Sequence, residues 1–163
     1  MAELWDAYDN NFNIIKDVTL VRGEPLSDGI YHLVCEVIVK HIDGTFLLMQ
    51  RDYQKNDGGM WEVGAGGSAL KGETPLLGAV RELKEETGLA AKEIKEIKRI
   101  VHDVHHSIYF IYLYVTDCDK DAVVLQEGET IAYKWIDKNS LLEMSEDELA
   151  SKRAVKLIKE LDI

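Results

Sequence analysis

Three glutamates stand within five positions of one another in the segment RELKEETG, residues 81–88: Glu82, Glu85 and Glu86. On a helix, Glu82 neighbours both of the others, and each like-charged pair costs about 0.2–0.5 kcal/mol. Arg81, four residues before Glu85, compensates only in part. Uncompensated repulsion of this kind is typical of functional sites. A cluster of carboxylates suits a hard divalent cation such as Mg²⁺, which prefers oxygen ligands.

The helix that carries these glutamates has clear boundaries in the sequence. Thr74 can cap its first turn, Pro75 suits a first-turn position because its missing N–H costs nothing there, and Gly88 is a typical stop. A helical projection places five apolar residues on one broad side: Leu76, Leu77, Ala79, Val80 and Leu83. We therefore expect the helix to pack this side on a sheet and to present its glutamates on the other.

Residues 67–89 read GSALKGETPLLGAVRELKEETGL. This stretch resembles the Nudix hydrolase family, whose signature is G-x5-E-x7-R-E-hydrophobic-x-E-E-x-G-hydrophobic, and every fixed position is filled. The resemblance implies an α/β/α sandwich with a mixed central β-sheet. It also implies Mg²⁺-dependent hydrolysis, with Mn²⁺ as a substitute, of a diphosphate bond in a small substrate such as a nucleoside diphosphate linked to another moiety.

The resemblance also implies which residues bind the metal. The ligands would be the carboxylates of Glu82, Glu85 and Glu86, with the carbonyl of Gly66 beside them. One of the three glutamates could also act as the base that activates water. The sequence thus predicts a magnesium site on one face of a helix.

Other residues of the box would support that site. By resemblance, Arg81 orients the glutamates, Glu73 braces the loop before the helix, Gly67 shapes the turn on the metal side and Gly88 ends the helix. The sequence departs from the family where Ala65 replaces a frequent proline before the double glycine. This departure concerns the fine geometry of the metal site and leaves the catalytic core intact.

Residues outside the box are weaker candidates for roles in the reaction. The general base varies within the family, so Glu127 and Glu129 in the segment QEGET are alternatives, although a polar hairpin turn would look the same. Arg51, Tyr53 and Lys55 follow a predicted central strand, where they could contact phosphates or stack on a base. A solvated loop is an equally consistent interpretation of these three.

The N-terminal segments LWDAYDNNFN and GEPLSDGIYHLV are similar to Nudix members related to isopentenyl diphosphate isomerases, which have a histidine at a place matching His32. An isomerase is therefore one alternative. Such isomerases need a cysteine near the start of the box, and residues 60–70 contain none. A nucleotide-sensing module without catalysis is a second alternative, but it would more naturally have lost a box glutamate.

Apolar stretches bounded by turn residues predict the strands around the box. We expect an N-terminal extension of β-strands over residues 1–30 and a Nudix domain over 31–163. Residues 64–73 look irregular, and Ser145 with Glu148 predicts a capping box that starts the last helix. Predicted strands cover residues 4–8, 12–16, 18–22, 31–40, 46–51, 60–63, 94–104, 108–115 and 131–136.

Composition narrows the classes of protein. The 163 residues, 46% hydrophobic and 30% charged, suit one globular domain. The net charge of −11 argues against nucleic-acid polymers and anionic membranes as partners. Cys35 and Cys118 are far apart, so buried thiols are expected rather than a disulfide. The sequence starts without a basic and apolar leader, from which we expect a cytoplasmic protein, and the N-terminal strands could pair across a homodimer.

Overall fold

The computed structural model describes all 163 residues, which form nine strands, three helices and one short 3₁₀ turn. The strands are β1 (Leu4–Tyr8), β2 (Ile14–Val21), β3 (His32–His41), β4 (Thr45–Arg51), β5 (Trp61–Val63), β6 (Ala65–Ser68), β7 (Lys95–His102), β8 (Ser107–Thr116) and β9 (Thr130–Asp137). The helices are α1 (Pro75–Thr87), α2 (Lys138–Glu143) and α3 (Arg153–Glu160).

The central sheet contains seven strands and is mixed. β3 pairs with β8 in parallel over its whole length, from His32 opposite Ser107 to His41 opposite Thr116. All other pairs are antiparallel. β3 and β4 pair only at Lys40 and Phe46, so the two strands diverge. Beyond this point of divergence, β6 pairs with β3. Strands β5 and β9 both pair with β4.

Each face of the sheet is covered by helices. Alternate residues of the central strands point to opposite sides, so that Val37 and Val39 face α1 while Ile38 faces α2 and α3. Leu83 of α1 belongs to the first core, and Leu157 of α3 belongs to the second. The predicted α/β/α sandwich with a mixed central sheet is therefore confirmed.

Three predictions of local structure are wrong. The strands expected over residues 12–16 and 18–22 are one strand, β2, because both parts pair with β1 across a β-bulge. Residues 65–68 form strand β6 rather than irregular chain, because their backbone pairs with Val34–Val37 of β3 although glycine has a low β propensity. The last helix begins at Arg153 and not after Ser145. The Ser145 amide does bond the Glu148 carboxylate, at 2.9 Å, but backbone groups of residues 148 and 150 then pair with Trp61. That pairing keeps the segment out of a helix.

The N-terminal hairpin of β1 and β2 forms a separate two-stranded sheet with its own small core of Trp5, Ala7 and Leu20. Tyr8 exchanges two backbone hydrogen bonds of 2.9 Å with Tyr31, which joins the hairpin to the main sheet. None of the three helices has the length and apolar composition that crossing a bilayer requires.

Candidate active site

Helix α1 is fixed at both ends as its sequence predicts. The Thr74 side chain accepts a hydrogen bond from the amide of Leu77 at 3.2 Å, and Pro75 occupies the first turn. Gly88 adopts the left-handed conformation, with φ of 75°, and its amide donates to the carbonyl of Lys84 at 2.9 Å. These caps set where the glutamates stand along the helix.

The face that α1 buries differs from the expected one. Leu76 and Leu77 are 48% and 58% exposed, so the prediction that they face the sheet is wrong. The helix instead buries a side made of Gly78, Ala79, Leu83, Glu86 and Thr87. A Cβ on Gly78 would stand 3.0 Å from the Cys35 sulfur, which shows how closely helix and sheet approach. Because of this rotation, the carboxylate of Glu86 points inward, against the prediction that all three glutamates face away.

Glu86 is the most buried acidic side chain of the site, at 7% exposure. Its carboxylate accepts a hydrogen bond from the amide of Gly66 in β6 at 3.2 Å. Burial and, to a smaller extent, repulsion from Glu62 raise the pKa of Glu86 to about 8, although the Gly66 hydrogen bond opposes the increase. A group in this state favours either a bound proton or a nearby cation.

Glu82 also leans against the glycine strand. A Cβ on Gly67 would lie 2.5 Å from the carboxyl carbon of Glu82, so any side chain at residue 67 would displace the carboxylate. Burial raises the pKa of Glu82, while the hydrogen bond from Arg81 opposes the increase. Gly67 is therefore required here for the close approach of Glu82 to the strand.

Arg81 connects the acidic side chains of the site. Its guanidinium donates to Glu73 at 2.6 and 3.0 Å, to Glu82 at 2.8 Å and to Glu85 at 3.1 Å, and it also reaches the carbonyl of Ser68 at 3.1 Å. Burial opposes the ionisation of Glu73, but these hydrogen bonds outweigh it and lower the pKa of Glu73. Glu73 also accepts from the amide of Leu70 at 2.8 Å, which braces the loop before α1.

The donor set fits a hard divalent cation. Glu82, Glu85 and Glu86 offer carboxylate oxygens, the ligands that Mg²⁺ prefers, and burial penalises the charge on two of them when no cation is near. As the side chains stand, no three acidic, histidine or cysteine residues converge on one point. The guanidinium of Arg81 instead pairs with the carboxylates of Glu82 and Glu85.

These residues line a cavity of about 640 Å³ that contains no hydrophobic side chain. Arg51 and Lys55 stand in its wall, where Arg51 pairs with Glu62 and Lys55 with Glu129. The structure thus brings Arg51, Lys55 and Glu129 together with the box glutamates. It leaves Tyr53, which is 74% exposed, and the exposed Glu127 outside the lining of the cavity.

Two features of this region were not expected from the sequence. Glu3 and Arg22 of the N-terminal hairpin also line the cavity, although nothing in their spacing relates them to the box. A second cavity of about 270 Å³ shares the Gly66 and Gly67 backbone with the first and contains Glu36, Tyr109 and Arg153. Only the paired strands and the position of α3 bring these last three residues together.

A family model described as the NUDIX domain matches residues 31–160, and the chain therefore belongs to the Nudix family. An uncharacterized Nudix hydrolase from Listeria innocua is 40% identical over 88 residues, which are 53% of this chain and 52% of that protein. Nudix hydrolase 3 from Arabidopsis thaliana is 35% identical over 74 residues, 44% of this chain and 10% of that one. The chain thus matches about half the length of the Listeria relative, and a smaller part of the plant protein.

Solved structures agree on the fold. A crystal structure of a Deinococcus radiodurans protein superimposes with a TM-score of 0.78 at 16% identity, covering 97% of this chain and 98% of that one. The NUDIX domain of Shewanella oneidensis NrtR, solved in complex with ADP ribose, gives a TM-score of 0.64 at 18% identity, covering 82% and 89%. At these identities the likeness concerns the fold alone.

Proposed function

We propose that this protein is a hydrolase that depends on a divalent cation and cleaves a diphosphate bond in a small organic pyrophosphate. The observation that carries the proposal is the position of Glu82 and Glu86 against the Gly66–Gly67 backbone, at the base of a wholly polar cavity. Membership of the Nudix family and relatives named as Nudix hydrolases support it.

Mg²⁺, or Mn²⁺ in its place, would be held by the carboxylates of Glu82, Glu85 and Glu86 and by the carbonyl of Gly66. When bound, such a cation neutralises charge on diphosphate oxygens and lowers the pKa of a coordinated water. Arg81 would then keep its two hydrogen bonds to Glu73 and hold the loop and the helix in register, while Glu82 and Glu85 turn from Arg81 toward the cation.

The cationic side chains of the cavity would bind the substrate phosphates. Arg51 and Lys55 each have one carboxylate partner, and phosphate oxygens can replace those partners. Release of Lys55 would free the carboxylate of Glu129, which lines the cavity and could take the proton from water. Glu127 lies outside the lining, so we favour Glu129 or a box glutamate as the base.

The organic part of the substrate would extend into the second cavity. This cavity borders the same two glycines, and it offers the Tyr109 ring, over which the Arg153 guanidinium lies at 3.7 Å, together with the carboxylate of Glu36. An aromatic ring and charged hydrogen-bonding groups suit a nucleoside. Since a NUDIX domain of the same fold binds ADP ribose, we infer a substrate in which a nucleoside diphosphate is linked to another moiety.

A substrate screen tests the proposal. Phosphate release, coupled to a phosphatase where the product needs it, is measured with Mg²⁺ and then with Mn²⁺. The substrates are nucleoside triphosphates, ADP-ribose, nucleotide sugars, dinucleoside polyphosphates and dinucleotide cofactors. We expect turnover of at least one group that stops when a chelator is added and returns with excess cation. Absence of hydrolysis across the whole set would overturn the proposal.

The same screen separates the two alternatives. An isomerase would convert isopentenyl diphosphate in a parallel assay. The structure does not favour that reaction, because no cysteine lines the cavity. The Cys35 thiol lies beneath α1 and donates to the carbonyl of Pro75 at 3.3 Å. A nucleotide-sensing module would instead bind a compound of the set in calorimetry without converting it.

We also propose that two copies associate through the N-terminal strands. β2 pairs with β1 and with no other strand, so its outer edge is free for a second copy. A monomer mass in light scattering at micromolar concentration would exclude such a homodimer.

A further inference from the structure

The N-terminal hairpin is attached to the loop that precedes α1. The amide of Lys71 donates to the carbonyl of Leu4 at 2.9 Å, and the amide of Gly72 donates to the Asp6 carboxylate at 2.8 Å. The Lys71 ammonium also reaches the hydroxyl of Thr19 at 2.6 Å. Both strands of the hairpin therefore hold the same loop, and the position of the hairpin is coupled to that of the box helix.

This attachment places Arg22, the residue after β2, in the wall of the cavity that contains Glu82 and Glu85. Its side chain is 67% exposed, and the only hydrogen bond of its guanidinium runs from Nη1 to Glu3 at 3.3 Å. The carboxylate of Glu3 is at the same time held by the indole N–H of Trp5 at 2.7 Å. The guanidinium of Arg22 thus keeps most of its donors free.

The other cations of the cavity are more closely engaged. Arg51, Lys55 and Arg81 have side chains that are 17%, 28% and 23% exposed, and each is paired with a carboxylate at a distance that allows an ion pair. Arg22 is therefore the most accessible cation in this cavity. An exposed guanidinium offers a planar set of donors that matches the oxygens of a phosphate in a two-point contact.

We propose that Arg22 binds a terminal phosphate of the substrate, beyond the diphosphate bond that is cleaved. The inference rests on the proposed function and adds, within its substrate class, a preference for compounds in which the second moiety carries such a phosphate, for example nucleoside triphosphates. Without Arg22, a phosphate on this side of the cavity would be unfavourable, because Glu3, Glu82 and Glu85 line the same cavity. Arg22 supplies a positive charge in the wall of the same cavity that the proposed metal ligands line.

Steady-state kinetics of Arg22→Gln test this role. For a substrate with a terminal phosphate we expect KM to rise roughly tenfold to a hundredfold, the effect of losing a hydrogen bond to a charged group, with kcat nearly unchanged. For a nucleotide sugar, which lacks the terminal phosphate, KM should stay within about twofold. Arg22→Lys should recover part of the affinity, and Lys16→Gln, which removes an exposed cation of the same hairpin, should alter neither constant.

Calorimetry distinguishes failure of this inference from failure of the proposed function. A nucleoside triphosphate with a methylene bridge at the scissile position binds without being cleaved, so its affinity can be measured even for a protein that shows no turnover. A loss of affinity in Arg22→Gln but not in Lys16→Gln supports the role of Arg22. Equal affinities in the wild type and Arg22→Gln, or equal changes for substrates with and without a terminal phosphate, would overturn it.

Discussion

The backbone amide of Gly66 donates a hydrogen bond to the carboxylate of Glu86 across 3.2 Å, and this contact joins the glycine strand to the box helix. The carboxylate lies in a buried position, where its pKa is raised to about 8. Such a group is stable with a proton or beside a cation, and it is destabilising when it is charged and alone. The charge state of Glu86 therefore links the stability of the protein to pH and to divalent cations.

When a chelator removes divalent cations, the stability of the protein should depend on pH through Glu86. The folded pKa of Glu86 lies above its ordinary value, so its contribution is fully present below about pH 4.5 and is lost as the pH rises through about 8. We expect the free energy of unfolding to decline over this range by on the order of a few kcal/mol relative to Glu86→Gln. Urea denaturation at several pH values measures the difference. Parallel pH profiles for the two proteins would contradict the prediction.

Glu85→Gln and Glu86→Gln should each lower turnover roughly a hundredfold or more, because each removes a charged oxygen ligand from the proposed metal site. Since the amide is almost the same size as the carboxylate, far-UV circular dichroism should be unchanged. Glu93→Gln is the matched control, as it neutralises an exposed glutamate beyond the helix. Near-normal activity in both site variants would argue against the assignment.

Gly67→Ala should weaken cation binding by roughly tenfold to a hundredfold, the range found when groups that position a ligand are changed. The new Cβ would stand 2.5 Å from the carboxyl carbon of Glu82, so this carboxylate must move. Calorimetric titration with Mn²⁺ measures the effect. If the loss acts through Glu82, the alanine should weaken binding far less in a protein that already carries Glu82→Gln.

Arg153 compensates the charge of Glu36 in the second cavity. Burial raises the pKa of Glu36, and the ion pair and hydrogen bond from Arg153 oppose the increase. Arg153→Met should therefore destabilise the protein by about 2–4 kcal/mol, because it leaves a carboxylate in a poorly solvated place. Adding Glu36→Gln should recover much of that loss. Strictly additive effects in urea denaturation would mean that the two residues are not coupled.

The two cysteines should react very differently with thiol reagents. Cys35 is fully buried, and burial followed by repulsion from Glu73 raises the pKa of its thiol to about 12. Only Cys118, which is partly exposed, should be labelled in the native protein at pH 8. In Cys118→Ser, labelling should require urea. Rapid native labelling of that variant would show that Cys35 is more accessible than its burial indicates.

The parts of the site that are local in sequence could be predicted from it. The caps of α1 depend on Thr74, Pro75 and Gly88, whose conformational preferences act within a few residues. The central strand at residues 31–40 is apolar on both faces, and in the structure Val37 and Ile38 do face opposite cores. Helix caps and the alternation of side-chain direction along a strand depend only on residues close in sequence, and therefore both appear in the structure as predicted.

The parts that depend on contacts between distant segments could not be predicted. The rotation of α1 follows from how closely Gly78 approaches Cys35, and no helical projection contains that information. Arg22 reaches the cavity only because the hairpin is bonded to Lys71 and Gly72. For the same reason, the Ser145 capping pattern was correct as a contact but wrong as a helix start, since Trp61 competes for the neighbouring backbone groups.

The parallel pairing of β3 with β8 has a consequence for how the chain folds. His32 and Ser107 are partners although about 75 residues separate them, so the chain must close a long loop before this pair can form. Contacts of such separation slow folding, whereas the hairpins and the contact of α1 with β6 join near neighbours in sequence and can form early. Until the loop closes, β3 presents an unpaired apolar edge. The risk of aggregation is therefore greatest during refolding and on the ribosome, before β8 has covered that edge.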